Sequence, residues 1–255
     1  MTPVCGLAAW RELRRRPEWA GRTVGFVPTM GALHSGHRTL LERARAENER
    51  VVLSVFVNPT QFNDPADLAR YPRTLAADVA LAQPYVDAVF APTAEGFYPD
   101  GYRYRVTETD LSRRGEGAHR PGHFDGVLTV VLKLFNVVQP TRAYFGEKDW
   151  QQLQLVRGLV AAMLLPVEIV ACPTVRDPDG LALSSRNQRL SRAGRARAAV
   201  FPATLQHAPS ASAAAAGLQA AGFEVDYVDE VDGIRLGAVR VDGVRLIDNC
   251  VVAAR

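Results

Sequence analysis

Two histidines three residues apart, His34 and His37, stand in the stretch Pro28-Thr29-Met30-Gly31-Ala32-Leu33-His34-Ser35-Gly36-His37. A short apolar run precedes it and an amphipathic run from about Arg38 to Asn48 follows it. That order is strand, glycine-rich turn, helix. Such a turn leaves backbone N–H groups at a helix start, where they and the helix dipole favour an anion such as phosphate. On a helical first turn the two imidazoles point the same way. Gly31 and Gly36 let backbone approach a ligand closely. The same two histidines would also suit a solvated surface or a metal. Zinc is disfavoured, because no Cys or further His stands nearby to complete four ligands. No Gly-Lys-Ser/Thr follows the turn, so it is not a P-loop.

Two further segments carry phosphate chemistry. Gly146-Glu147-Lys148-Asp149 lies where an apolar run meets a helical one. Its lysine can meet a phosphate or a carboxylate, and its aspartate a ribose hydroxyl. An exposed turn with an ion pair is the plain alternative. Lys148 and Lys133 are the only lysines in a chain otherwise rich in arginine. A compact ammonium does what a planar guanidinium cannot. Leu181-Ala182-Leu183-Ser184-Ser185-Arg186-Asn187 offers two hydroxyls and a guanidinium in sequence. Together they can wrap a triphosphate, though such a run alone is often only a turn. Gln61 and Gln152 are amides at segment ends, able both to donate and to accept.

These residues need a scaffold. Thr23 to Val27, Val51 to Val57, Val86 to Ala91, Ala143 to Phe145 and Val167 to Ala171 are apolar runs of strand length. Helical patterns separate them, at Leu7 to Arg16, after His37 to about Glu49, Thr74 to Gln83, Val127 to Val138 and Trp150 to Met163. Strand and helix in alternation predict a doubly wound parallel α/β sheet, with ligands at the carboxyl ends of its strands. Pro92 to Gly122 has little periodicity, which suits a functional or mobile segment. After Pro173 the character changes. A polar loop, Arg176 to Arg189, precedes an alanine-rich stretch of low information around Ser210 to Ala216. Phe223 to Val228, Ile234 to Val241 and Val244 to Ile247 then alternate around Asp-Gly turns, as short antiparallel strands do. We expect a catalytic domain over 1–173 and a smaller C-terminal α+β lid domain over 174–255.

The totals narrow the class. The chain has 255 residues and a formal charge of +3. That balance does not argue for a nucleic-acid protein. No apolar run reaches membrane-spanning length, and the first residues lack a signal-peptide pattern. Three scattered cysteines, Cys5, Cys172 and Cys250, give no disulfide framework. A reducing cytoplasm is the expected setting.

The run Pro28 to His37 resembles the signature of the pantothenate synthetases (pantoate–β-alanine ligases), in the nucleotidylyl-transferase superfamily marked by a His-x-Gly-His turn. Phe145 to Gln152 is similar to the family's Phe-Gly-Glu-Lys-Asp-Tyr-Gln-Gln, with Trp150 for the tyrosine. Leu183 to Asn187 resembles its Met-Ser-Ser-Arg-Asn loop, with Leu183 for the methionine. Tyr71-Pro72-Arg73-Thr74 and His119-Arg120-Pro121-Gly122-His123-Phe124 extend the match, which runs from about Val24 to Leu190. Beyond Arg192 it is loose, and the chain is shorter than is usual for the family around Leu205 to Ala221.

The resemblance implies a Rossmann-like fold and condensation of pantoate with β-alanine, driven by ATP, through a pantoyl adenylate. It implies ATP contacts from Met30, Gly31, Ala32, Leu33, His34, Ser35, Gly36 and His37, and from Gly146, Glu147, Lys148 and Asp149. Val175 and Leu183 are implied at the adenine, and Ser184, Ser185 and Arg186 at the phosphates. His34, His37 and Lys148 are implied as catalytic, and Gln61 and Gln152 as pantoate contacts, Gln61 also near β-alanine. Asp78 is implied on the Mg2+ side, although the neighbouring acidic position of the family is Ala77 here. A homodimer is implied as well. Two rivals stay open: another nucleotidylyl transferase on this fold, and a non-catalytic nucleotide-binding module. The glutamine segments speak against the first, and the convergence of histidines, lysine and Ser-Ser-Arg against the second.

Overall fold

The computed structural model describes residues 1–252. Five strands, β1 (Val24–Thr29), β2 (Arg50–Val55), β3 (Ala88–Phe90), β4 (Arg142–Gly146) and β5 (Glu168–Cys172), form one sheet in the order β3-β2-β1-β4-β5. Every neighbouring pair in it is parallel. Strands β6 (Glu224–Val231), β7 (Ile234–Val241) and β8 (Val244–Val251) form a second, antiparallel sheet. The helices are α1 (Leu7–Arg15), α2 (Ser35–Glu47), α3 (Pro65–Arg70), α4 (Leu75–Ala82), α5 (Ala94–Phe97) and α6 (Gly115–His119). They continue with α7 (His123–Val138), α8 (Trp150–Ala162), α9 (Arg192–Ala198), α10 (Val200–His207) and α11 (Ala211–Ala220).

The apolar runs become strands because both faces of the parallel sheet are covered. Side chains alternate between two cores. Phe26, Val52, Ala143 and Phe145 pack with Leu128, Leu134 and Leu153 on one side. Val27, Val51, Leu53 and Tyr144 pack with Leu41, Val79 and Ala82 on the other. A third core, including Phe201, Leu205, Leu218 and Val239, lies under the antiparallel sheet. The fold is thus α/β, a doubly wound Rossmann-like parallel sheet with a smaller C-terminal α+β part.

Strand order reverses between β1 and β4. One half of the sheet winds away from β1 through β2 and β3, the other from β4 to β5. A crevice opens there beyond the carboxyl ends, the usual ligand site of such sheets. The turn after β1 and the turn after β4 both border it, so topology alone brings Pro28–His37 against Gly146–Asp149.

Several boundaries differ from expectation. Helix α2 begins at Ser35, so His34 is its N-cap and not a first-turn residue. Helix α7 begins at His123, four residues early. The irregular stretch holds the short helices α5 and α6. The alanine-rich stretch is helix α11, held by buried Ala214 and Leu218. Strand β7 has the expected bounds, Ile234–Val241, while β6 and β8 run on to Val231 and Val251, beyond their expected ends. Their Asp-Gly corners put Asp232 and Gly233, then Asp242 and Gly243, at positive φ, the hairpin geometry such pairs favour.

Candidate active site

The turn after β1 is locked by side chains. Gly31 and Ala32 take positive φ, 82° and 52°. Asp78, only 2% exposed on α4, holds them. Its carboxylate accepts from Ala32 N at 3.1 Å and from Leu33 N at 2.8 Å. The Thr74 hydroxyl donates to the same carboxylate. The Thr29 hydroxyl accepts from Gly31 N at 3.2 Å and donates to Ser54 O. Next comes a capping box built of imidazoles. His34 Nδ1 accepts from Gly36 N at 3.1 Å, and His37 Nδ1 accepts from His34 N at 3.3 Å.

One expectation is corrected here. The turn does not offer a row of free N–H groups, because Gly31, Ala32, Leu33, His34 and Gly36 all donate within the protein. N–H groups withdrawn from water demand partners, and here the turn's own side chains and Asp78 of α4 supply them. Asp78, expected on the Mg2+ side, has both its oxygens engaged by the turn.

The capping box decides the histidine tautomers. A ring nitrogen that accepts from N–H carries no proton, so each neutral ring holds its hydrogen on Nε2. The ring centroids are 4.1 Å apart. Burial pushes the His37 pKa down to about 3, with His34 and Lys148 acting in the same direction. Burial and Lys148 lower that of His34 as well, against the opposing pull of Asp149. Two neutral Nε2–H donors result, beside one cation. Both histidines and Lys148 line one hollow, with Met30 and Gly36 from the same turn.

From the other side of the crevice, a short 3-10 turn over Glu147–Asp149 presents Lys148. Lys148 is half-buried and forms no ion pair within 4.0 Å among the described residues. Gly146 and Asp149 share the hollow with it. Val175 O accepts from Leu183 N at 2.9 Å, and Arg176 bridges Ala182. This neck presents Leu183, Ser184, Ser185 and Arg186 to the hollow, with Val175 at its base. The Ser184 hydroxyl caps the turn that follows by accepting from Arg186 N. The Arg186 guanidinium reaches Asp67 at 3.3 Å.

Both glutamines line the hollow. Gln61 Oε1 accepts from Asn58 Nδ2 at 3.0 Å, while its Nε2 faces the Met30 sulfur, a weak acceptor. Its donor side is therefore largely uncommitted. Helix α7 rests directly on this turn, since a Cβ on Gly126 would lie 2.4 Å from Thr60 O. Gln152 sits on the first turn of α8. Of the expected residues, Gly31, Ala32, Leu33, Ser35, Glu147 and Asp78 do not line the hollow.

Arg120, His123 and Asn58 also line it, and had no role assigned from sequence. Gln61 O accepts from His123 Nδ1 at 2.7 Å and from Arg120 Nη2 at 3.0 Å. The His123 hydrogen is therefore on Nδ1, and its pKa is pushed down to about 3 by burial, with Arg120 adding to the effect. Arg120 in turn reaches Glu116 at 3.0 Å. Burial pushes the Glu116 carboxyl up, but the hydrogen bonds and charge of Arg245, with Arg120, outweigh it and hold it at about 2. Arg245 of β8 grips Glu116 at 2.6 and 2.8 Å. The signal available was the density of His, Arg and Gly in His119–Phe124, without any indication of partners.

Comparison with known proteins agrees with this geometry. The pantoate-beta-alanine ligase family model matches residues 5–251. A pantothenate synthetase of Bdellovibrio bacteriovorus is 57% identical over 94% of each chain. The crystal structure of pantothenate synthetase from Thermus thermophilus superposes with a TM-score of 0.90, at 46% identity, over 100% of both chains. That of the Francisella tularensis pantoate-beta-alanine ligase, complexed with beta-gamma ATP and beta-alanine, gives 0.92 at 38% identity, over 98% of this chain and 97% of that one. With its histidine turn, its lysine turn and its two glutamines around one crevice, the chain belongs to the pantoate–beta-alanine ligase family.

Proposed function

We propose that the chain condenses (R)-pantoate with β-alanine through a pantoyl adenylate, releasing pyrophosphate and then AMP. The observation that carries this is a meeting of groups in one crevice between β1 and β4. Two neutral Nε2–H donors, an ammonium without an ion pair among the described residues, and two glutamine amides converge there. The relative solved with beta-gamma ATP and beta-alanine supports the same chemistry.

A carboxylate is a poor acyl donor, because its leaving group would be oxide. Attack of a pantoate oxygen on the α-phosphorus of ATP forms the mixed anhydride and breaks the bond to pyrophosphate. The β-alanine nitrogen then attacks the acyl carbon, loses a proton, and expels AMP. Neither step needs a covalent enzyme intermediate. Catalysis is positioning and charge stabilisation. His34 and His37 donate to phosphate oxygens as charge builds, and neutral donors do so without drawing the phosphates into a tight ground-state ion pair. Lys148 neutralises charge from the β4 side. Arg186 exchanges Asp67 for phosphate, and Ser184 and Ser185 donate beside it. Val175 and Leu183 flank the adenine. Gln61 and Gln152 hold pantoate's polar groups.

Mg2+ belongs to this proposal as a companion of the triphosphate, with no carboxylate from Asp78. We divide the chain into a catalytic part, 1–173, and a lid, 174–255, and place it in the cytoplasm as a homodimer. No helix among the described residues is long and apolar enough to cross a membrane. Sedimentation would test the dimer. The function itself is tested by labelled pyrophosphate exchange into ATP. Exchange should require pantoate and not β-alanine, and full turnover should give AMP. Exchange that needs β-alanine, or ADP among the products, would overturn the adenylate route.

A further inference from the structure

We infer that the dipeptide Asp248-Asn249 of the terminal strand is a positioning element for the ATP site, setting Lys148 and the Ser-Ser-Arg segment relative to each other. The proposal rests on Lys148 acting at the phosphates. Asn249 lies inside β8, paired with Leu236 of β7. Its Nδ2 donates to Glu147 O at 2.9 Å and to Lys148 O at 2.8 Å. One amide nitrogen thus commits both hydrogens to two consecutive carbonyls of the lysine turn. No other side chain of that size offers two hydrogens from one neutral nitrogen. The bond pair fixes the main chain on either side of the Lys148 α-carbon, and so the direction from which the ammonium enters the crevice.

The neighbouring residue pins the second segment. Asp248, with its side chain 1% exposed, binds Arg176 in a fork at 2.6 and 2.9 Å. The same guanidinium reaches Asn249 O at 3.3 Å and Gly180 O at 3.0 Å. Arg176 bridges Ala182, and Val175 holds Leu183, directly ahead of Ser184 to Arg186. Asp248 Oδ1 also accepts from Asn249 N at 2.8 Å, tying the two pins together. A fork of this kind, buried on its carboxylate side, is directional. Two segments that converge on the phosphates are therefore referenced to adjacent residues of one strand, in a sheet that itself contributes no histidine, lysine or serine to the crevice.

The experiment is Asn249→Asp in the full chain, which keeps the shape and replaces both donors with acceptors. Pyrophosphate exchange should fall on the order of 100-fold, as for a reacting group displaced by about 1 Å. The KM for ATP should rise while that for pantoate stays within about twofold, because Gln61 and Gln152 are held elsewhere. Exchange within about twofold of the parent, or an equal rise in both KM values, would overturn the proposal. Lys148→Ala is measured beside it. If that variant exchanges normally, the role of Lys148 falls and the proposal falls with it. If it is inactive while Asn249→Asp is normal, only the positioning is wrong. Should Asn249→Asp fail to fold by circular dichroism, Asn249→Ser carries the same comparison. It keeps one donor, so a loss of about 10-fold is expected, and the same two results overturn the proposal.

Discussion

Asp78→Asn separates two jobs for one carboxylate. An amide can accept from only one of the two N–H groups now satisfied and turns a donor towards the other. Stability should fall by about 1–3 kcal/mol, and exchange by on the order of 100-fold as the histidines shift. The Mg2+ concentration for half-maximal rate should not move. An upward shift that excess Mg2+ repairs would mean Asp78 is a metal ligand after all. His37→Ala should lower exchange on the order of 100- to 1000-fold, the usual loss for one donor at a developing charge. The depressed pKa adds a sign. With a value of about 3, His37 stays neutral at every pH above the acid range, so its Nε2–H donates unchanged through neutrality. The rate profile of the parent should lack a histidine step near the ordinary value of about 6.5. A step there that vanishes in His37→Ala would show that the imidazole acts as a cation.

Between elements, the contact of α7 with the Asn58–Gln61 turn is set by a missing side chain. Gly126→Ala places a methyl 2.4 Å from Thr60 O, so helix and turn must part. The KM for pantoate should rise more than that for ATP, since Gln61 rides on that turn. Equal effects on both would place Gln61 outside the pantoate site. Glu116→Gln tests the joint between α6 and β8. It removes the anion that Arg245 and Arg120 share, leaving Arg245 with Asp226 alone, and should cost about 1–3 kcal/mol. A urea midpoint within error of the parent would refute that. These joints also mark where sequence ceases to inform. The parallel strands were legible, because Val51 to Val57 and its counterparts are unbroken apolar runs, and only a sheet covered on both faces needs them. The histidine and lysine turns were legible, because each sits where such a run meets a helical pattern. Glu116 and Arg245 are 129 residues apart, Asp78 and Leu33 are 45, and Asn249 and Lys148 are 101. No periodicity joins residues at such spacings. An alanine-rich stretch hides its packing for another reason. Alanine suits a helix anywhere, and only the flanking Leu205 and Leu218 show which face of α10 and α11 is inward.

At the scale of the molecule, burial of neutral histidines makes the fold acid-sensitive earlier than its carboxylates would. His37 and His123 both have folded values of about 3, against about 6.5 unfolded. A folded value below the unfolded one means that stability is full above pH ~6.5 and is lost as the pH falls towards 3. Each group contributes a slope of about 1.4 kcal/mol per pH unit within that window. Glu116, held at about 2, adds its loss only below the ordinary carboxylate range. Urea midpoints should therefore decline already between pH ~6.5 and 5, and the decline should flatten in His123→Asn. A level midpoint across that interval would contradict the burial of both rings in neutral form. The turn after β1 has one more consequence. Because its N–H groups are satisfied by its own side chains and by Asp78, it is finished when the chain folds. Nucleotide meets those residues already ordered, so little conformational entropy is lost there on binding. On the proposed mechanism the loss falls instead on the segment from Arg176 to Arg189, where Arg186 would exchange Asp67 for phosphate. If so, the calorimetric signature of nucleotide binding should belong to that segment, and stiffening it should raise affinity where stiffening the histidine turn leaves it unchanged.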